Sequence, residues 1–154
     1  MTQVHGEASL SAQIDANPDR VWSILRRFSA VAEWSPIART SRLVSGEDGA
    51  PGAERELVTV DGTTVCEQLL ALDDGLRWLR YRMLSFPIPV TEQENEIKVE
   101  PVGLGGGSRI TFSARFVPAM GVAPAAIAAI NVEAFDAAAA GIDRYLKGRP
   151  DDGG

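Results

Sequence analysis

Residues Val90–Glu100 read VTEQENEIKVE, and their alternation fixes a strand with two chemically different faces. Glu92, Glu94, Glu96, Lys98 and Glu100 fall on one parity, and Gln93, Asn95, Ile97 and Val99 on the other. Successive strand side chains point to opposite faces, so the first set is solvated. The second set begins with two amides and ends as ordinary core. An unpaired polar group turned inward costs about 1–3 kcal/mol. Gln93 and Asn95 therefore either hydrogen-bond inside the core or line an interior that is not entirely core.

The same period recurs along the chain. Leu10, Ala12 and Ile14 alternate with Ser9, Ser11, Gln13 and Asp15, giving a first strand over Glu7–Asp15. Further strands are expected at Ala38–Ser45, Glu54–Val60, Thr63–Leu72 and Leu76–Leu84, separated by GEDGAPG, a tight DG turn and DDG. In GGSRITFSARFVP, Ile110, Phe112, Ala114 and Phe116 oppose Arg109, Thr111, Ser113 and Arg115.

Helical signals flank this meander. In NPDRVWSILRRF, Asn17 is suited to an N-cap, Pro18 to the first turn and Asp19 to a helix N-terminus. Val21, Trp22, Leu25 and Phe28 share one face, and a second short segment, SAVAEWSP, stops at Pro36. A long helix is expected from about Ala123 to Lys147, with Glu133, Asp136, Ala140, Asp143 and Lys147 as its wet stripe. The opposite stripe is Ile127, Asn131, Ala134, Ala138, Ile142 and Tyr145, with Phe135 beside it. Alanines there either let the helix approach a sheet closely or leave a space. The class is α+β: an antiparallel sheet whose concave face is covered by the C-terminal helix, in one domain over 1–148 with a disordered tail at 149–154.

The formal net charge of −6 over 154 residues argues against nucleic-acid binding, and the small arginine groups (Arg26 with Arg27; Arg77, Arg80 and Arg82) read as solvated faces. Cys66 and His5 are the only residues of their types, which excludes a Cys/His metal site, an intrachain disulfide and a Ser/His/Asp or Cys/His triad. No metal or cofactor is expected. With no evident signal segment and no apolar run near about 18 residues, the default is a cytoplasmic monomer or homodimer without integral membrane association.

IDANPDRVWSILRRF, EWSP, GAERELVTVDGTTVCEQLLALDD, LRYRM and the final helix resemble the START-like superfamily. The resemblance is to its polyketide cyclase/dehydrase and lipid-transport branch, also called Bet v 1-like or SRPBCC, and covers nearly the whole chain. It implies a helix-grip: about seven strands curved around the long helix, two short helices after strand one, and a largely apolar cavity between sheet and helix. Gln93 and Asn95 would then be polar points on the cavity wall near its mouth. The segments are more distantly similar to plant abscisic-acid receptors. The longer gate loop of those proteins is replaced here by VDGT, their His-Arg-Leu latch by FPIP at Phe86–Pro89, and their anchoring lysine falls at or near Trp34. Hormone binding does not carry over.

Glu67 is an acid on a parity shared with Val65, Leu69 and Ala71, but the other parity is also semi-apolar, so periodicity leaves its direction open. A two-residue Asp61-Gly62 turn would set Glu56 opposite Glu67, a like-charge pair. A three-residue loop including Thr63 pairs Leu57 with Glu67 and puts Arg55 on the same face, one diagonal step away. The resemblance favours that register. Arg55 and Glu67 are then either a structural pair or a ligand anchor. Tyr81 and Met83 share the inner parity of Leu79, and the Tyr81 hydroxyl either holds a ligand or bonds a neighbour. Trp34 is placed at the cavity rim, Trp22 in the core and Trp78 outside. Asn131 faces the sheet. Leu57, Val65, Phe112 and Phe135 complete the expected wall, with Ile88 in the FPIPV loop, which either packs on the long helix or closes the cavity.

Three functions fit these residues. The first is a carrier or sensor for a small hydrophobic, lipid-like, polyketide-like or aromatic molecule, which needs only a cavity and polar anchors. The second is a polyketide cyclase/dehydrase-type catalyst moving protons with Glu67, Tyr81 and Arg55. The third is a protein-interaction module, which a filled interior would favour.

Overall fold

The computed structural model describes residues 5–149. The elements run β1 (Gly6–Ile14), α1 (Pro18–Leu25), a 3-10 segment (Phe28–Glu33), β2 (Ala38–Ser45), β3 (Glu54–Thr59), β4 (Thr64–Asp73), β5 (Trp78–Met83), β6 (Val90–Val102), β7 (Gly107–Pro118) and α2 (Pro124–Lys147). The strands form one antiparallel sheet in the order β1-β7-β6-β5-β4-β3-β2. With α2 after the last strand, this is the helix-grip arrangement.

Local chemistry starts α1 as expected: the Asn17 side chain accepts from the Arg20 amide at 2.9 Å, and Pro18 occupies the first turn. Val21, Trp22, Leu25 and Phe28 are all buried. The arginine groups lie outside, Arg26 on Asp74, Arg77 on Asp19 and Arg80 on Glu96. Trp78, expected outside, is half-buried under the Arg80 guanidinium.

Several boundaries and registers differ from expectation. Between β3 and β4 the loop is Val60-Asp61-Gly62, closed by the Thr59 amide on the Thr63 carbonyl at 2.8 Å. Gly62 takes φ 91, a left-handed conformation that suits glycine. The register is thus two residues from the expected one: Leu57 faces Val65, and Arg55 lies directly opposite Glu67. In β4 a bulge between Leu69 and Ala71 reverses the parity, so Ala71 pairs with Arg80 while Leu72 pairs with Leu79. Val65, Glu67 and Leu69 face inward as read, but Ala71 does not. β5 begins at Trp78 rather than Leu76, because Arg77 takes φ 50 in the preceding turn.

α2 lies nearest β1 and β7. Its buried residues are Ile127, Asn131, Phe135, Ala139, Gly141, Ile142 and Leu146, a stripe rotated from the one expected. Ala134 and Ala138 are left half-buried beside it. By length and composition alone α2 is long and apolar enough to cross a membrane. That corrects the expectation that no apolar run approaches spanning length. Alanines raise the apolar content there, yet the buried stripe packs on the sheet. Of the expected tail, residues 150–154 lie outside the described residues, and the Arg149 guanidinium lies 4.5 Å from the Tyr145 ring centroid.

Gly141 permits a close approach of this helix to the Trp34–Pro36 segment. A Cβ there would stand 2.3 Å from the Trp34 carbonyl oxygen and 2.6 Å from Pro36 Cδ. Gly141→Ala adds helix propensity worth roughly 1 kcal/mol. The overlap with backbone costs more, so a net loss of about 1–3 kcal/mol is expected in urea unfolding. A stabilised Gly141→Ala would show that helix and segment are not in contact.

Candidate functional site

The interior of the grip contains a cavity of about 290 Å³ bounded by the inner faces of β3–β6, the 3-10 segment and α2. The helix shapes it: Gly141 lets α2 approach the Trp34–Pro36 segment closely, while the short side chains of Ala134 and Ala138 line the cavity. Ile37 and Ile130, 37% and 41% exposed, and the exposed Pro87 mark where this space meets solvent.

The strands deliver a line of polar side chains to its wall. Arg55 and Glu67 are 7% and 6% exposed. Arg55 Nε donates to Glu67 Oε1 at 2.9 Å, Nη2 lies 2.8 Å from the same oxygen in the ion pair, and Nη1 donates to the Phe28 carbonyl at 2.7 Å. The guanidinium carbon lies 3.9 Å from the Phe28 ring centroid and 4.9 Å from that of Tyr81. Cation–π attraction therefore adds to the ion pair. The pair ties β3 and β4 to the chain just after α1.

From Tyr81 the line continues along β6. The Asn95 amide donates to the Tyr81 hydroxyl at 3.1 Å, and Gln93 Nε2 donates to Asn95 Oδ1 at 2.9 Å and Asn131 Oδ1 at 2.8 Å. Asn131 Nδ2 donates to the Ile127 carbonyl at 3.2 Å. The inward amides thus have partners and also line the cavity. Both are buried, with 3% of Gln93 and 6% of Asn95 exposed.

The remaining expected residues reach the same cavity. Leu57 and Val65 face each other across the β3–β4 hairpin, Met83 lies opposite Glu67, and Phe112 stacks on Phe135 with ring centroids 5.4 Å apart. Trp34 and Ile88 are half-buried on its wall. In the FPIPV loop Pro87 and Ile88 line the space while Phe86 points out, and the Pro89 carbonyl accepts from the Ala119 amide at 2.9 Å. Sequence reasoning missed further wall residues. Leu79 and Ile97 share parity with Tyr81 and Asn95 and were legible in principle. Val31 and Ile37 lie in or beyond a 3-10 segment that has no usable period.

Burial, with the Glu67 charge adding to it, pushes the Tyr81 hydroxyl up to about 12 from 10.0. A folded-state value above the unfolded one means the fold holds the proton. Its stability contribution is present below pH 10 and is lost as pH rises toward 12. Stability should fall across that window, and in Tyr145→Phe, with Tyr81 the only tyrosine left, tyrosinate absorbance should not develop until near pH 12. Development near pH 10 would place Tyr81 in water. For the ion pair, Arg55→Met should cost about 3–5 kcal/mol by stranding Glu67. Adding Glu67→Leu should recover much of that loss, and additive losses in urea unfolding would contradict the coupling.

Comparisons with known proteins agree with this geometry. The structure is similar to that of the protein XoxI from Bacillus cereus, with a TM-score of 0.82 at 24% identity over 90% of this chain and 94% of that one. A solution structure from Thermobifida fusca matches with a TM-score of 0.78 at 25% identity, over 90% and 92% of the two chains. The abscisic acid receptor PYL2 of Arabidopsis thaliana is 32% identical over 79 residues, which span 49% of this chain and 41% of the receptor. Residues 5–147 match the model of the family described as polyketide cyclase/dehydrase and lipid transport. The chain is a member of that Bet v 1-like family.

Proposed function

We propose that this protein binds a small, largely apolar molecule in the cavity between sheet and α2, acting as a carrier or sensor. The observation that carries the reading is the cavity itself: about 290 Å³, walled by aliphatic and aromatic side chains, with one connected line of polar groups. Ligand sites typically enclose roughly 300–1,000 Å³ and combine apolar walls with a few polar groups that set orientation. The volume favours a ligand of one or two rings or a short chain. The protein-interaction reading was tied to a filled interior and has less support. Catalysis by proton transfer also has less. It needs groups that titrate near the working pH, whereas Tyr81 holds its proton to about pH 12 and Arg55 is committed to Glu67 and Phe28.

Ala138→Leu tests this reading, since leucine is a good helix former and would fill space that alanine leaves. The neutral dye N-phenyl-1-naphthylamine should brighten with wild-type protein, and the variant should bind it at least about tenfold more weakly. The variant's stability should hold or rise by about 0.5–2 kcal/mol, the usual gain from cavity filling. Equal dye binding by both proteins would place the dye elsewhere and remove the support for an internal site.

A further inference from the structure

We infer that the cavity selects an uncharged ligand bearing a hydroxyl group, which donates to Glu67 and accepts from Tyr81, and that it discriminates against carboxylates. This rests on the cavity-binding reading above and adds the chemical class of its ligand.

The charge pattern of the wall comes first. Among the described residues, Arg55 and Glu67 are the only charged side chains lining the cavity. Arg55 is already engaged with an anion: Nε donates to Glu67 Oε1, with Nη2 2.8 Å from the same oxygen, Nη1 donates to the Phe28 carbonyl, and the Phe28 and Tyr81 rings lie over the guanidinium. A ligand carboxylate would have to displace Glu67 or enter as a second anion beside it, in a setting where like charges cost most. A ligand ammonium would meet Arg55 in the same way. A neutral molecule meets neither penalty.

The hydrogen-bond inventory then names the polar group. Both Arg55 nitrogens that face Glu67 lie on Oε1, Nε as a hydrogen-bond donor and Nη2 at ion-pair distance, while Oε2 has no donor among the described residues. Every sealed side-chain nitrogen or oxygen among the described residues has a partner, so Oε2 is open to the cavity rather than shut in protein. An ionised carboxylate oxygen can only accept, so a ligand must bring the hydrogen. The Tyr81 hydroxyl accepts from Asn95 and has no acceptor among the described residues for its own proton. The Tyr81 ring and the Glu67 carboxylate border the same guanidinium. A ligand hydroxyl, with one donor and two lone pairs, matches both open valences at once. The oxygens of Gln93, Asn95 and Asn131 are already engaged with one another.

The test uses three probes of one shape, naphthalene, 2-naphthol and 2-naphthoate, competing against N-phenyl-1-naphthylamine near neutral pH. There the naphthol is neutral and the naphthoate an anion. Wild-type protein should bind 2-naphthol about tenfold or more tightly than naphthalene, the scale of one hydrogen bond to a charged acceptor. The naphthoate should bind most weakly. Glu67→Gln removes the anion and leaves the Arg55 cation. It should shrink the naphthol advantage to a few-fold and strengthen naphthoate binding, reversing the order for the charged probe. If the variant does not fold, the wild-type series and Tyr81→Phe, which should reduce the naphthol advantage alone, still decide the matter. Equal binding of all three probes overturns this inference and leaves cavity binding standing. Tight naphthoate binding to wild type also overturns it. If none of the three competes while the dye binds, the hydroxyl anchor falls; if the dye does not bind either, the cavity reading falls with it.

Discussion

The buried contact of Arg55 with Glu67 organises the inner face of this sheet. A single guanidinium joins neighbouring strands through Glu67, reaches the chain after α1 through the Phe28 carbonyl, and packs against the rings of Phe28 and of Tyr81 on β5. Buried ion pairs are weak evidence for stability, because desolvation offsets most of the attraction. What this one does is fix position. It holds an acid and a tyrosine at the wall of a cavity, where a filled apolar core would have been the simpler structure.

The cavity itself follows from side-chain size on one helix. Gly141 brings α2 against the Trp34–Pro36 segment, and Ala134 and Ala138 present short side chains to the cavity. A helix with leucines at those positions would close the space. The thin stripe has both of the consequences open to a small-residue face, close approach at one point and a gap at another. The polar line along β5, β6 and α2 keeps that gap from being purely apolar, and its amides satisfy one another rather than waiting on a ligand.

Much of this was legible in strand parity, and the failures have physical causes. Alternation placed Tyr81, Gln93 and Asn95 on the inner face, because a one-residue slip would expose a whole hydrophobic set, while Arg55 and Glu67 were turned inward only by the hairpin register that the resemblance favoured. It could not separate registers that differ by two, since both keep the same residues inside. The choice fell to the loop, where Gly62 takes the left-handed position and Thr59 and Thr63 close it. The bulge between Leu69 and Ala71 left no signal, because both parities of β4 are apolar there. Family resemblance supplied the cavity, which no pattern of residues encodes directly.

The central claim is that a neutral hydroxylated molecule occupies the space between α2 and the sheet, and a crystal structure grown with 4-iodophenol addresses it most directly. The account predicts an anomalous iodine signal inside the cavity, near Phe112 and Phe135, with the phenol oxygen within hydrogen-bond distance of Glu67 Oε2 and the Tyr81 hydroxyl. Iodine found only on the outer surface, with Ala134 and Ala138 collapsed onto the sheet, would contradict it.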